Sequence, residues 1–159
     1  MAQCEQDAHD LSSVVCNRVK DVSFEIEGVS EVAGSSSELH SAMSNLIGNA
    51  IRYTPADRAI HVSWCFLPHG VAVFAVKDAG PGIAPEHIAR LTERFYRVDH
   101  SRSRDTGGTG LGLAIVKHVA QRHGAELGIE SVPGKGSTFS ITFPAQRVRP
   151  AILKQVAMA

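Results

Sequence analysis

The stretch 35–53, SSSELHSAMSNLIGNAIRY, predicts the clearest helix of this chain. Its apolar residues recur at helical spacing and form one stripe, whose members are Leu39, Met43, Leu46, Ile47 and Ala50. The serines at its start can accept hydrogen bonds from free backbone N–H groups. The pattern stops at Thr54-Pro55, because proline disfavours a helical conformation in the residue before it.

The opposite face of this helix is polar in an unusual way. At about 100° per residue, one side of the helix carries Glu38, Asn45, Asn49, Arg52 and Tyr53. A solvated face usually carries Lys and Glu, whereas asparagine is a poor helix former that adds side-chain carbonyl oxygens, which suit Mg²⁺. A guanidinium can bind phosphate and an aromatic ring can contact a base, so this face is typical of a nucleotide site.

A second signal lies at 107–119, GGTGLGLAIVKHV, where a glycine-rich turn opens an apolar helix. A P-loop requires a lysine directly after the glycines, but the first lysine here is Lys117, within the predicted helix. A dinucleotide fingerprint requires a preceding strand, but the charged segment YRVDHSRSRDT has little strand character. Two interpretations remain: a helix start whose N–H groups and dipole attract an anion, or a plain tight turn.

The remaining chain contributes strands and shorter helices. In chain order the pattern predicts a helix at 8–20, a strand at 22–28, a hairpin at 59–80 turning at 68–70, a short helix from Pro85, and a hairpin at 126–144 turning at 133–136. With no internal repeat, these elements predict one domain of the α+β class. Its helices cover one face of a mixed, largely antiparallel sheet.

The amino-acid composition argues against several classes of protein. The 159 residues include 43% hydrophobic and 20% charged positions, which is ordinary for a globular domain. Sixteen basic and sixteen acidic residues balance, so no overall field favours nucleic acid or an anionic membrane. The three cysteines lack C-x-x-C spacing, which argues against a zinc site or a disulfide framework. No apolar run approaches the roughly 20 residues of a membrane span, and the start of the chain has no signal-peptide pattern.

Four motifs in a fixed order give a more specific indication. They are NLIGNAIRYTP at 45–55, DAGPGIAP at 78–85, ERFYRV at 93–98 and GGTGLGLAIVKHV at 107–119. This set resembles the N, G1, F and G2 boxes of the ATP-binding catalytic domain of sensor histidine kinases. The resemblance covers residues 20–144, and the G1-to-F and G2 stretches are similar in particular to phosphate-regulon sensor kinases.

The resemblance implies a fold and a division of the chain. The family has a two-layer α/β sandwich, the Bergerat ATP-binding fold shared with type II topoisomerases, Hsp90 and MutL, in which ATP lies between the long helix and a mobile lid. The catalytic domain would span 21–144, with a helix or linker remnant at 1–20 and a tail at 145–159.

The resemblance also implies roles for residues of the long helix. Asn49 would coordinate Mg²⁺ at the phosphates, and Asn45 would lie beside it in the polar site. Arg52 stands where the family usually has a lysine that contacts phosphate. Tyr53 would stack near the adenine, although packing at the helix end is an equal alternative.

Further roles fall on the G1 and F boxes. Asp78 would accept a hydrogen bond from the adenine amino group, and Gly80 and Gly82 would let the backbone approach the base. Phe95 and Arg97 would begin the lid, with Arg97 at the γ-phosphate. Two simpler alternatives remain: Asp78 as a turn cap and Phe95 as a core residue.

The G2 box would close the far hinge of the lid and present backbone N–H groups to the phosphates. The residues concerned are Gly108, Thr109, Gly110, Leu111 and Gly112.

The implied reaction is transfer of the γ-phosphate of ATP to a histidine on a separate dimerisation domain, which then phosphorylates a response regulator. Related ATPases carry a glutamate in place of Asn45 to activate water; because a carboxamide cannot take a proton, we do not expect fast hydrolysis. Only HDLSSVV, from His9, faintly resembles an acceptor box. We therefore expect a catalytic domain without acceptor, sensor or membrane spans, on the cytoplasmic side of a bacterial inner-membrane kinase.

Two alternatives stay open. A serine kinase of the anti-sigma-factor type shares these boxes, and a non-catalytic module could bind nucleotide only to regulate a partner.

Overall fold

The computed structural model describes residues 21–27, 30–98 and 110–150, and it confirms the predicted α+β class. In chain order the elements are β1 (Asp21–Glu27), β2 (Ser30–Val32), α1 (Ser36–Tyr53), β3 (Ala59–Phe66), a 3₁₀ turn (Pro68–Gly70), β4 (Ala72–Asp78), α2 (Pro85–Ile88), α3 (Gly112–Arg122), β5 (Glu126–Val132), β6 (Gly136–Phe143), a 3₁₀ turn (Ala145–Arg147) and β7 (Val148–Pro150). The predicted helix at 8–20 lies outside the described residues.

Five strands form the main sheet, in the order β1-β3-β4-β6-β5. The β1–β3 pair is parallel and the other three pairs are antiparallel, so the sheet is mixed and largely antiparallel, as the sequence predicts. Both predicted hairpins are present, because β3 pairs with β4 and β5 with β6. A separate antiparallel pair joins β2 to β7.

One face of this sheet forms the core. Alternate residues of β4 and β6 are buried, as expected for strands covered on one side only. Helix α1 packs on that face through Ala42, Leu46, Ile47 and Ala50, and α3 packs through Val116, Val119 and Ala120. Leu39 and Met43 of the predicted stripe are partly buried against the same core.

The packed chain continues past Pro144, where the sequence analysis places the start of a tail. Residues 145–147 form a 3₁₀ turn, β7 pairs with β2, and the side chain of Val148 is buried. The backbone N–H of Ala33 also donates to the carbonyl oxygen of Arg147. A three-residue strand has too few positions to show an alternating pattern, which explains why the sequence did not predict this pairing.

A buried histidine joins one end of α1 to one end of α3. His123 follows α3 and is 3% exposed. Its Nε2 atom accepts a hydrogen bond from the backbone N–H of Ser35 at 3.1 Å, and its Nδ1 atom lies 2.8 Å from the carbonyl oxygen of Val119. Since an N–H only donates and a carbonyl only accepts, these two bonds assign the ring proton to Nδ1. An ion pair between Glu38 and Arg122, 3.1 Å apart, lies beside the ring.

Among the described residues, no helix is long and apolar enough to cross a lipid bilayer.

The joint at His123 leaves no room for a side chain at Gly34. A Cβ atom there would lie 2.3 Å from the imidazole Cδ2 atom, and the hydrogen-bonded ring cannot move away. We expect Gly34→Ala to lower the free energy of unfolding by about 1–3 kcal/mol, measured by urea denaturation. Gly48→Ala is the matched control: no heavy atom lies within 4 Å of its Cβ position in α1, so a gain of about 0.5–1 kcal/mol is expected. Equal stability of Gly34→Ala and the wild type would contradict the packing at this joint.

Candidate functional site

Asp78 is the last residue of β4 and lies on the face of the sheet that the helices cover. It occupies the last inward position of β4, after Ala72, Phe74 and Val76, and it is 8% exposed. Its Oδ1 atom accepts a hydrogen bond from the backbone N–H of Gly80 at 2.9 Å. Burial raises the pKa of this carboxyl, while backbone hydrogen bonds from Gly80 and Ser137 act in the opposite direction.

The turn-capping alternative for Asp78 is therefore present in the structure, but it leaves part of the carboxylate available. Two carboxylate oxygens offer about four acceptor positions, and the backbone bonds from Gly80 and Ser137 use two of them. No ion pair within the described ranges includes Asp78. A buried carboxylate without a cation costs free energy and is a common mark of a functional site.

Close backbone packing surrounds Asp78. A Cβ atom at Gly82, which has a φ of +73°, would lie 2.2 Å from the carbonyl oxygen of Val132. A Cβ atom at Gly136 would lie 2.1 Å from the carbonyl oxygen of Asp78. The glycines thus allow the loop after β4 to pack on the β5–β6 turn, which gives Gly82 a packing role that the sequence analysis did not indicate. Gly80 also lies close to α1, since its Cβ position is 3.2 Å from the carbonyl oxygen of Tyr53.

The two asparagines of α1 have different surroundings. The Nδ2 atom of Asn45 donates to the carbonyl oxygen of Ser41 at 2.8 Å, and its Oδ1 atom lies 2.9 Å from the Cβ position of Gly112. Asn45 therefore lies against the first residue of α3. Among the described residues, the Oδ1 atom of Asn49 has only a long contact, 3.4 Å, with the guanidinium of Arg52. This oxygen is available to a ligand.

The other residues of the polar face of α1 are Arg52, Tyr53 and Glu38, and they differ in exposure and partners. Arg52 is exposed, and Tyr53 is 51% exposed, which does not fit the alternative of a packing residue at the helix end. Glu38 shares their face in the helical projection but pairs with Arg122 near the start of α1. A helical projection fixes the angle around the axis and not the partner, so only the position of α3 separates Glu38 from the site.

The F box and the G2 box meet at the start of α3. The backbone N–H of Phe95 donates to the carbonyl oxygen of Gly110 at 3.0 Å. Both residues have positive φ angles, +65° and +73°, and a Cβ atom at Gly110 would lie 3.0 Å from the Phe95 Cα atom and 3.4 Å from Arg97 Cγ. Phe95 is 68% exposed, so the core alternative is wrong. Gly108 and Thr109 lie outside the described residues.

Helix α3 begins without a side-chain cap. Leu111 occupies the N-cap position and makes no side-chain hydrogen bond, because an apolar side chain has no acceptor. Within the described part of the chain, the first N–H groups of the helix therefore have no capping side chain. Such a helix start is suited to an anion, as the glycine-rich motif predicts.

Comparison with known proteins identifies the family. Residues 34–147 match the family described as histidine kinase-, DNA gyrase B- and HSP90-like ATPase. The chain belongs to this family.

The proteins similar to this ATPase-family domain include named sensor kinases. It is 51% identical over 147 residues to the phosphate regulon sensor protein PhoR of Pseudomonas aeruginosa, a match covering 92% of this chain and 32% of PhoR. The mycobacterial sensor histidine kinase MprB superposes with a TM-score of 0.74 at 31% identity, covering 93% of this chain and 95% of that one. Full-length ShkA in complex with AMPPNP gives a TM-score of 0.75 at 26% identity, covering 88% and 28%.

The chain is thus an ATP-binding catalytic domain of the sensor histidine kinase type. It spans only 32% of the length of PhoR.

A side-chain cluster that the sequence analysis missed anchors the start of the F box in this kinase-type domain. The hydroxyl of Tyr96 hydrogen-bonds to Nδ1 of His87, and the guanidinium carbon of Arg90 lies 4.3 Å from the centre of the Tyr96 ring. Arg90 also pairs with Glu93 at 3.3 Å. The segment between α2 and Phe95 has no regular period, so no pattern in the sequence could have grouped these residues.

The raised pKa of Asp78 predicts a pH dependence of stability. In the unfolded chain the carboxyl titrates at its usual pKa of 3.8, and in the folded chain it titrates at a higher pKa. Between these two values the folded state holds the extra proton, so stability falls as the pH rises through the window. We expect the melting temperature of Asp78→Asn, measured relative to that of the wild type, to improve as the pH rises above 3.8, the pKa of the unfolded chain. The exposed Asp57→Asn is the control, and a pH-independent difference for Asp78→Asn would contradict the burial penalty.

The contact between Phe95 and Gly110 predicts the effect of a hinge substitution. Gly110→Ala forces a Cβ atom against Phe95 in a backbone conformation that alanine disfavours. The contact lies at the start of α3 and outside the core, so we expect weaker ATP binding with an unchanged fold. Calorimetry and circular dichroism measure the two effects. Unchanged affinity would contradict a role of Gly110 in ATP binding and would favour the interpretation of this stretch as a plain tight turn.

Proposed function

We propose that this domain binds Mg-ATP and transfers the γ-phosphate to a histidine on a separate dimerisation domain, which passes it to a response regulator. The observation that carries the proposal is the buried carboxylate of Asp78, beside the end of α1 and without a cation partner among the described residues. A carboxylate is an acceptor only, so it complements the amino group of adenine and opposes the carbonyl oxygen that guanine carries at the same position.

Phosphate groups would be held at the start of α3. The first N–H groups of α3 have no side-chain cap, and Arg52 and Arg97 supply positive charge. Phosphoryl transfer requires mainly positioning and charge neutralisation, and these groups supply both. The roles of Gly108 and Thr109 rest on the family resemblance, since they lie outside the described residues.

The residues present fit Mg²⁺ bound chiefly through ATP. Within the described ranges, no group of three His, Cys, Asp or Glu side chains could hold a metal ion. Mg²⁺ usually keeps several waters and binds through few protein oxygens together with substrate phosphates. The weakly bonded Oδ1 atom of Asn49 is such an oxygen. When bound, the ion would neutralise charge on the phosphates.

Asn45 supports transfer to a protein side chain over hydrolysis. Its amide group donates to Ser41, so its orientation is set and its oxygen lies toward Gly112. A carboxamide cannot accept a proton from water, so the chain lacks a general base at this position. Phosphate therefore stays on ATP until a nucleophile from another domain approaches.

The finer assignment is to phosphate-regulon sensing. It is supported by 51% identity to PhoR, and by motifs similar to those of phosphate-regulon kinases. The whole kinase would carry the acceptor histidine, the sensor and a membrane anchor outside this domain, which would lie on the cytoplasmic side.

Calorimetry with ATP and Mg²⁺ tests the binding site. We expect Asp78→Ala to weaken binding by roughly ten- to a hundredfold, because a hydrogen bond to a charged group is lost. Asn49→Ala should also weaken binding, because it removes the metal-facing carbonyl oxygen. Asp57→Ala removes an exposed carboxylate and serves as the matched control, and GTP serves as the control nucleotide. Absence of binding by the wild type, or unchanged binding by both variants, rules the proposal out.

Phosphotransfer to a supplied histidine-kinase hairpin tests the reaction. Incubation with labelled ATP should place acid-labile phosphate on the hairpin. Acid-stable label would instead favour the serine-kinase alternative, and ATP binding with no transfer to any hairpin would favour a regulatory module.

A further inference from the structure

Ser131 makes three hydrogen bonds near the end of β5. Its Oγ atom accepts from the backbone N–H of Ile83 at 2.7 Å and donates to the carbonyl oxygen of Gly136 at 3.0 Å. The third bond, at 2.8 Å, joins it to the hydroxyl of Ser137, its partner across the β5–β6 hairpin. A hydroxyl has one proton, and Gly136 accepts that of Ser131, so Ser137 is the donor in the third bond. These bonds use the full hydrogen-bonding capacity of the Ser131 side chain.

The β5–β6 hairpin does not itself require this hydroxyl. Its backbone ladder runs over seven residue pairs, and these bonds do not involve side chains. Along β5, the alternate residues Leu127 and Ile129 pack against the core, and Ser131 is the next residue in the same alternation. An apolar residue would continue this row, so the reason for a serine lies in the groups that it binds.

The carboxylate of Asp78 accepts hydrogen bonds from two segments of the chain. One donor is the backbone N–H of Gly80, in the loop after β4, at 2.9 Å. The other is the backbone N–H of Ser137, at the start of β6. Ser131 bonds to both segments, because Ile83 lies in the loop and Ser137 carries the second donor. One hydroxyl therefore joins the two segments that hold the carboxylate.

We propose that Ser131 is a positioning residue for base recognition, whose hydroxyl fixes the loop after β4 against the start of β6 and thereby orients the carboxylate of Asp78 for the amino group of adenine. This inference rests on the ATP binding proposed above. Ser131 does not contact the nucleotide but acts through the N–H groups of Gly80 and Ser137. An acceptor that is oriented before binding loses less conformational freedom when the ligand arrives, which raises the affinity.

A nucleotide without the amino group isolates this role. Purine riboside triphosphate has a C–H group where ATP carries its amino group, so it cannot donate to Asp78. By calorimetry with Mg²⁺, the wild type should bind ATP more tightly than this analogue. We expect Ser131→Ala to raise the Kd for ATP by roughly three- to tenfold and to leave the Kd for the analogue nearly unchanged. A merely structural role of Ser131 predicts that both nucleotides weaken equally.

The titration of Asp78 tests the positioning without any nucleotide. The backbone N–H groups of Gly80 and Ser137 lower the pKa of this carboxyl, against the effect of burial. When Ser131 no longer fixes these donors, their bonds weaken. We therefore expect the pKa of Asp78, followed by NMR of its carboxyl carbon, to be higher in Ser131→Ala than in the wild type. An unchanged pKa overturns the positioning role.

Matched variants separate the hydroxyl from general effects of substitution. Ser131→Thr keeps the hydroxyl and suits a strand, so it should retain the wild-type affinity and titration. Ser140→Ala removes a serine from the opposite face of β6 and should change neither quantity. Gly134 still donates its N–H to the carbonyl oxygen of Pro81 in Ser131→Ala, so we expect this variant to fold. Where it does not fold, Ser131→Cys takes its place, because a thiol has a similar size and hydrogen-bonds weakly.

The outcomes separate this inference from the proposed function. ATP binding by the wild type, together with an unchanged affinity of Ser131→Ala for ATP or an equal loss for both nucleotides, overturns the role of Ser131 alone. Absence of ATP binding by the wild type overturns the proposed function, and base recognition through Ser131 with it.

Discussion

The site depends on how closely the start of α3 approaches the middle of α1. The Oδ1 atom of Asn45 is so near Gly112 that a Cβ atom there would lie 2.9 Å from it. At the other end of the same helix pair, the ring of His123 bonds to Ser35 and fills the space beside Gly34. At each end of the α1–α3 contact a side chain packs against a glycine: Asn45 against Gly112, and His123 against Gly34. These two contacts place the start of α3 next to the polar face of α1.

The sheet beneath these helices explains why a carboxylate belongs at the end of β4. Strand alternation directs Asp78 inward after three apolar residues, into a place where a hydrophobic side chain would have served packing better. Burial raises its pKa, and only backbone groups balance its charge in the described chain. This buried carboxylate lowers the stability of the ligand-free fold, which is typical of a site arranged for a ligand and not for stability.

Prediction from the sequence succeeded where the signal was local. The apolar stripe of α1, the two hairpins and the short helix from Pro85 were predicted from patterns within each segment. Prediction failed for β7, whose three residues are too few to show alternation, and for the partner of Glu38, which lies on α3. Among the candidate site residues, Asn49 was predicted from the polar face of the long helix and from the family resemblance, and Asp78 from the resemblance.

The sequence alone determined the element types and the order of the four boxes, because periodicity and motif spacing are properties of neighbouring residues. Tertiary structure decided which of these side chains lie together. It placed Glu38 with Arg122 and Asn45 with Gly112, gave Gly82 a packing role and exposed Phe95 beside Gly110. These outcomes depend on distances between segments far apart in the chain, which no local pattern records.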